Sequence, residues 1–261
     1  MSSALRSLLI LTAALSMLSA CGGESFLSNG NGDDDEDTYP EFDGATLAIS
    51  SPVSAGVYIL DEGLPLEGEV LSADGEVLDF DAIVWETDVE GEIAVGTSEE
   101  ADLNWGIKTV TATANLPNGD RLQTVLGGIR VQGRHSGIYA GNLAINMHAE
   151  FQDTPITASC LGGLDFIVDM SGEVLLGEEG SCTINLIVMG EMDIGYGVEA
   201  DVSQNSAQGS IQINTGFIDI PVSFEGNFED EQLYAEFEGN AFLFAFDGSL
   251  TANRLSPYVD P

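Results

Sequence analysis

Residues 139–147 read Tyr139-Ala140-Gly141-Asn142-Leu143-Ala144-Ile145-Asn146-Met147. Tyr139, Gly141, Leu143, Ile145 and Met147 take alternate positions, with small or polar residues between them. Successive side chains of an extended strand point to opposite faces, so this is a strand with one apolar face. Its first three alternate positions spell aromatic, Gly, apolar. The same element returns at Phe224-Gly226-Phe228 and Phe246-Gly248-Leu250, and in a weaker form at Phe237-Gly239-Ala241. Gly lets a strand bend sharply, and a flanking aromatic covers the bare backbone. Repeated bends predict a strongly curved antiparallel sheet over residues 133–254, as a small β-barrel or a rolled β-sandwich. Further strands are expected at 183–189, 210–214, 217–224, 233–237 and 241–251.

Upstream, seven short runs recur at 46–51, 57–60, 66–71, 80–87, 92–95, 108–115 and 124–132. Turn signals separate them at Asp74-Gly75, Glu90-Gly91 and Pro117-Asn118-Gly119-Asp120, and no long 3.6-residue period appears. The chain is therefore all-β, and residues 45–132 suit an immunoglobulin-like β-sandwich. Trp85, with Ile83 on the same face, is placed to plug the gap between two sheets. The linear order Trp85-Glu86-Thr87-Asp88, Gly91-Glu92-Ile93, Gly96, Leu103-Asn104-Trp105-Gly106 and Lys108-Thr109-Val110-Thr111-Ala112-Thr113-Ala114 resembles the bacterial immunoglobulin-like and PKD-like modules of surface proteins. The resemblance covers about a third of the chain and departs from the family at Ile107, where a His is common. It implies a spacer or binding scaffold with no catalytic set. The Gly-x-Tyr and Phe-x-Gly strands of the C-terminal half are also similar to the β-barrel halves of Gram-negative surface lipoproteins such as transferrin-binding-protein-like receptors. No residue role is carried over from them.

Residues 1–20 hold one charge, Arg6, and an apolar run over 8–20. The run is too short to span a bilayer, which takes about 20 residues, and fits a signal peptide. It ends in Leu18-Ser19-Ala20-Cys21, then Gly22-Gly23. This resembles a bacterial lipobox, which implies cleavage before Cys21, diacylglycerol on its sulfur and acylation of the new amine. Anchoring by more than one acyl chain is what stable attachment requires. Gly22, in place of a retaining Asp, favours the outer over the inner membrane of a Gram-negative cell. Residues 21–44, rich in Gly, Asn and Asp, read as a flexible, self-repelling tether. Its acids fail as an EF-hand loop: counting from Asp33, Thr38 and Gly44 stand where Gly and Glu are needed. Residues 255–261 read as a tail.

The 261 residues carry 44 acids against 6 bases, a formal charge of −38. Phosphate recognition needs clustered Lys and Arg, so the chain is no nucleic-acid binder. Hydrophobic residues make up 44%, enough for a core. With Cys21 lipidated, Cys160 and Cys182 remain, and an even pair in an exported chain reads as a disulfide. Redox Cys-x-x-Cys spacing is missing. His135 and His148 have no companion at zinc-ligand spacing, and no nucleophile-elbow, P-loop or His-Glu-x-x-His motif occurs. The row Glu86, Asp88, Glu90 and Glu92 near a turn is a candidate for calcium, the one cofactor the sequence admits; the plainer reading is a wet edge. The expected function is non-catalytic binding or adhesion at the cell surface, by a membrane-anchored lipoprotein with a protein or glycan partner. The alternative is a small-ligand-binding barrel with a pocket lined by Phe224, Phe237 and Phe246. A glycan-processing enzyme, needing only two opposed carboxylates, comes last.

Acids outnumber bases 16 to 3 over residues 45–132 and 19 to 2 over 133–254. An excess spread this evenly suits a salty habitat, where counterions screen self-repulsion. The melting temperature is expected to rise from low to molar KCl. A flat or falling trend contradicts this, and a full gain from millimolar calcium alone assigns the effect to specific sites.

Overall fold

A computed structural model describes residues 39–151, 154–186, 190–216, 218–241 and 244–259. The expected signal peptide, Cys21 and the tether up to residue 38 lie outside the described residues. Eight strands come first: β1 (Thr46–Ser51), β2 (Val57–Ile59), β3 (Leu64–Leu71), β4 (Ile83–Thr87), β5 (Gly91–Val95), β6 (Ser98–Ala101), β7 (Gly106–Asn115) and β8 (Arg121–Gln132). They form two sheets, ordered β1-β3-β6 and β2-β8-β7-β4-β5. Along β3, Leu64, Leu66, Gly68 and Val70 turn inward while Pro65, Glu67 and Glu69 stay exposed. Trp85 is fully buried between the sheets, and its indole N–H donates to the Gly96 carbonyl at 2.8 Å. The ring needs Gly68 opposite it: a Cβ there would sit 3.3 Å from the indole and 2.8 Å from Ile49 Cδ1.

Several details differ from the sequence-based expectation, and β3, β7 and β8 begin at Leu64, Gly106 and Arg121 rather than at 66, 108 and 124. Strand β6 was not expected, because in Ser-Glu-Glu-Ala only Ala101 faces the core and no alternation is legible. Strand β4 starts at Ile83 rather than 80. Phe80 lies ahead of it, edge-on to Phe42 at 6.2 Å. The tether ends earlier than residue 44. Pro40–Phe42 form a 3-10 turn, and Phe42 packs in a cluster with Ala45, Val70, Ala114 and Leu116. One apolar ring inside an acidic run has no other way to leave water.

Nine strands follow: β9 (Gly137–Phe151), β10 (Thr154–Val168), β11 (Val174–Gly177), β12 (Gly180–Leu186), β13 (Gly190–Ser203), β14 (Ser206–Asn214), β15 (Asp219–Glu229), β16 (Gln232–Ala241) and β17 (Phe244–Ser256). From β13 to β17 each strand pairs antiparallel with the next, and β17 returns to β9 with Leu250 opposite Leu143. Between β10 and β13 the wall is made of two short pieces. Strand β11 bridges both neighbours, Phe166 to Gly177 on one side and Leu175 to Ala200 on the other. Strand β12 forms its ladder with β13. The result is a closed eight-stranded barrel, so the curved sheet resolves as a barrel rather than a rolled sandwich. The Cys160–Cys182 disulfide ties β10 to β12, Cα to Cα 5.7 Å, beside that two-piece section. Closing a loop of this length is worth about 3 kcal/mol on the chain-entropy estimate.

Closure brings backbones close at inward positions. A Cβ on Gly141 would lie 2.0 Å from the Thr251 carbonyl oxygen, and one on Gly209 would lie 2.0 Å from that of Glu199. At Gly248 the space is filled by an aromatic, as expected, but Phe237 supplies it from the neighbouring strand: a Cβ would lie 2.3 Å from its Cζ. Strands β10, β11 and β13 were not expected. The alternation of β10 and β13 is broken by Gly162-Gly163 and by Gly195 and Gly197. Residues 255 and 256 belong to β17, and the remaining described tail folds back on the sandwich. Gln132 Nε2 donates to the Pro257 carbonyl at 2.8 Å, and Arg130 donates to that of Val259. The chain thus joins sandwich and barrel twice, once through β8 and once after β17.

Candidate functional site

A pocket in the barrel interior would define the ligand-binding alternative. Phe224, Phe237 and Phe246 all point inward, but each is at most 4% exposed and belongs to one continuous apolar cluster. Phe224 and Phe237 stand opposite each other across the β15–β16 ladder. The space these rings occupy is core.

The barrel mouth beside the sandwich is stoppered. Segment 133–136 crosses it, and His135 stacks on Phe228 with centroids 4.3 Å apart. Tyr139 stacks on Phe166 at 4.9 Å and donates its hydroxyl proton to the His135 carbonyl at 2.9 Å. Burial pushes the Tyr139 phenol up to about 12, so it stays a donor. Arg254 donates to the carbonyl of Arg134 at 3.0 Å and pairs with Glu231, while Arg134 reaches Glu62 on the sandwich at 2.9 Å. His135 Nε2 meets Asn205 Oδ1 at 3.0 Å, and Nδ1 is buried with no partner. This polar stopper was not read from the sequence. Its signal was only the unusual Arg-His-Ser between two strands.

The calcium candidates do not converge. Glu90 turns toward the buried Lys108 and bonds it together with Thr87. Burial works against its charge, but those bonds outweigh it and hold the carboxyl below the usual range. Asp88 accepts the Thr109 backbone N–H at 2.9 Å. Glu86 and Glu92 are exposed and face each other across a ladder. Among the described residues no three His, Cys, Asp or Glu side chains group so as to hold a metal ion. His148 faces solvent, as its parity predicts, and meets Asp247 at 2.6 Å. Bonds from Asn146 and then His148 hold that carboxyl below the usual range.

The outer barrel wall is largely polar, with Asn142, Asn146, Ser159, Glu225, Glu236 and Thr251 at outward positions, and Ile138, Leu161, Ile167 and Leu176 are exposed apolar exceptions. Transmembrane barrels show the reverse, an apolar outside. At least three grooves lie on the described barrel surface; one of about 530 Å³ is bounded by His148, Pro155 and Phe244, and two more lie elsewhere on the wall. One, of about 550 Å³, runs over β15, β16 and β17. Glu225 faces Glu236 there, and Glu238 faces Asp247. Like charges directly opposite repel. The other, of about 420 Å³, lies over β11, β13 and β14 and is lined by Leu176, Glu179, Gly195, Gly197, Glu199 and Asp219, among others. Leu176 is 56% exposed. Neither groove was legible in the sequence, because both are set by register between strands. Both of these grooves are outside the barrel, and the described part of each is lined mainly by backbone, carboxylates and amides. Compared with known proteins, the chain matches no family model and no curated relative.

The stopper carries a pH dependence. Burial lowers the affinity of His135 for a proton; the Asn205 bond works against this, and the Arg254 and Arg134 charges add to it. The folded value therefore lies below the unfolded one, about 6.5. As pH falls through 6.5 the unfolded chain takes up the proton first, so this stability is present above about 6.5 and lost as pH falls toward the folded value. The melting temperature is expected to fall from about pH 7.5 to 5.5, and to lose this fall in His135→Phe. A wild-type profile flat over that range, or a His135 ring that titrates by NMR at or above the ordinary value, contradicts it.

Proposed function

We propose that the protein is a non-catalytic cell-envelope lipoprotein that binds or adheres at the cell surface. The observation that carries this reading is the agreement of a charged start, a short apolar run and Leu18-Ser19-Ala20-Cys21 in one uninterrupted order. A lipidated Cys21 places everything after it beside a membrane leaflet, and Gly22 directs it to the outer membrane. The sandwich is read as an immunoglobulin-like module that acts as a spacer. The packed barrel is read as the recognition head, with a protein or glycan partner met on its polar outer wall. The barrel's apolar interior and polar exterior support a head that stands in water. The double connection through Gln132 and Arg130 supports a stiff stalk that keeps this head at a set distance.

The anchor is tested in the native host. The wild-type chain is expected to incorporate labelled palmitate and to sediment with outer-membrane fractions, while Cys21→Ser loses both. Label retained by the Cys21→Ser variant, or an intact leader on the mature protein by mass spectrometry, overturns the reading.

A further inference from the structure

Neither a close contact nor a left-handed backbone requires glycine at Gly195 and Gly197. A Cβ on Gly197 would meet nothing within 4 Å, and one on Gly195 would meet Asn214 Cβ at an ordinary 3.6 Å. The contrast is with Gly141 and Gly209, where backbone already fills the space. A Gly within a strand weakens it and often marks a bulge, a tight bend or a place where a ligand or another backbone comes close; the β13–β14 register runs through both residues without a bulge. Both residues face outward on β13, on either side of the inward Tyr196, and floor the groove of about 420 Å³. One lip of that groove is Leu176. It closes an exposed apolar row, since Ile138 stands opposite Ile167 and Ile167 opposite Leu176 in register across β9, β10 and β11. These side chains are 39%, 41% and 56% exposed.

We propose that this outer wall docks an extended, basic protein segment. Its backbone lies over the glycine floor, one apolar side chain rests on Leu176 and Ile167, and its Lys or Arg side chains reach Glu179, Glu199 and Asp219. Charge selects the occupant: the lining holds three carboxylates and no base. A second copy of this chain brings the same large negative excess and is repelled. An uncharged glycan is held best against an exposed aromatic face, and the one aromatic in the lining, Tyr196, is 3% exposed. An apolar anchor between opposite charges is the composition of a specific rather than a diffuse contact. This inference names the partner class for the binding reading above and does not need the lipid anchor.

The test is calorimetric titration of the full chain at physiological salt with three probes: the peptide Lys-Leu-Lys-Leu-Lys, pentalysine and cellopentaose. The alternating peptide is expected to bind at least about ten-fold tighter than pentalysine, a difference that apolar anchoring must supply. Gly197→Thr is expected to weaken it by a similar factor while the melting temperature stays level or rises, since Thr suits a strand. Leu176→Ser is expected to weaken it as well. Equal affinity for the two peptides overturns the proposal, as does tighter binding of cellopentaose. Unchanged affinity in Gly197→Thr overturns it too, and so does a lower melting temperature in that variant, which makes the glycine a requirement of the barrel. Peptide binding by a chain that proves unlipidated removes the envelope reading and leaves this site standing.

Discussion

Wrapping a sheet into a closed ring of eight strands forces neighbouring backbones together on the concave side. Everything in the C-terminal half follows from how that crowding is relieved. At Gly141 and Gly209 the next strand's carbonyl stands where a side chain would begin. At Gly248 the vacated space is taken by the Phe237 ring. Tyr196 fits between Gly162 and Gly180, either of which would strike its ring or hydroxyl if it carried a Cβ. The interior is thus filled by a pattern of missing and large side chains, as small barrels require. With the inside taken, the grooves that remain lie on the outside.

The outside is governed by charge. Facing carboxylates at Glu225–Glu236, Glu238–Asp247 and Glu86–Glu92 act against the ladders that hold them. Beyond Arg6 the chain has five bases, Lys108, Arg121, Arg130, Arg134 and Arg254. Three of them are gathered where sandwich meets barrel: Arg130 on the returning tail, Arg134 on Glu62, and Arg254 on segment 133–136. Cations so few are placed where they join the two halves, and Lys108 is placed where it neutralises Glu90 inside the sandwich edge. The outer wall is left anionic, a field that attracts basic partners and repels copies of the chain.

The all-β class, the sandwich and the curved second half were legible because alternation survives in strands such as β9 and β15, where Gly141 and Gly226 interrupt the apolar face without erasing it. The Cys160–Cys182 pairing was legible once Cys21 was set aside as the expected lipidation site, since only one pair is then left. Strand β10 was hidden in part by Gly162, which takes an inward slot beside Tyr196 and erases the apolar signal there, and β13 by the outward Gly195 and Gly197, which leave its polar face unmarked. Strand β6 was hidden because one Ala is all it gives the core. The end of the tether was misplaced because a single Phe42 in an acidic run carries no period. The stopper around His135 and the groove beside Leu176 depend on which residues stand opposite across different strands, such as Ile167 and Leu176. Register of that kind is written in no local stretch.

The account stands on a barrel that is full. Urea unfolding of Phe237→Ala and Phe246→Ala tests this most directly. A packed core predicts that each truncation costs about 3–5 kcal/mol, the loss of a buried aromatic together with the cavity it leaves. A loss below about 1 kcal/mol in both variants would mean that the rings line an open pocket, and the barrel would then have to be read as a vessel for a small molecule.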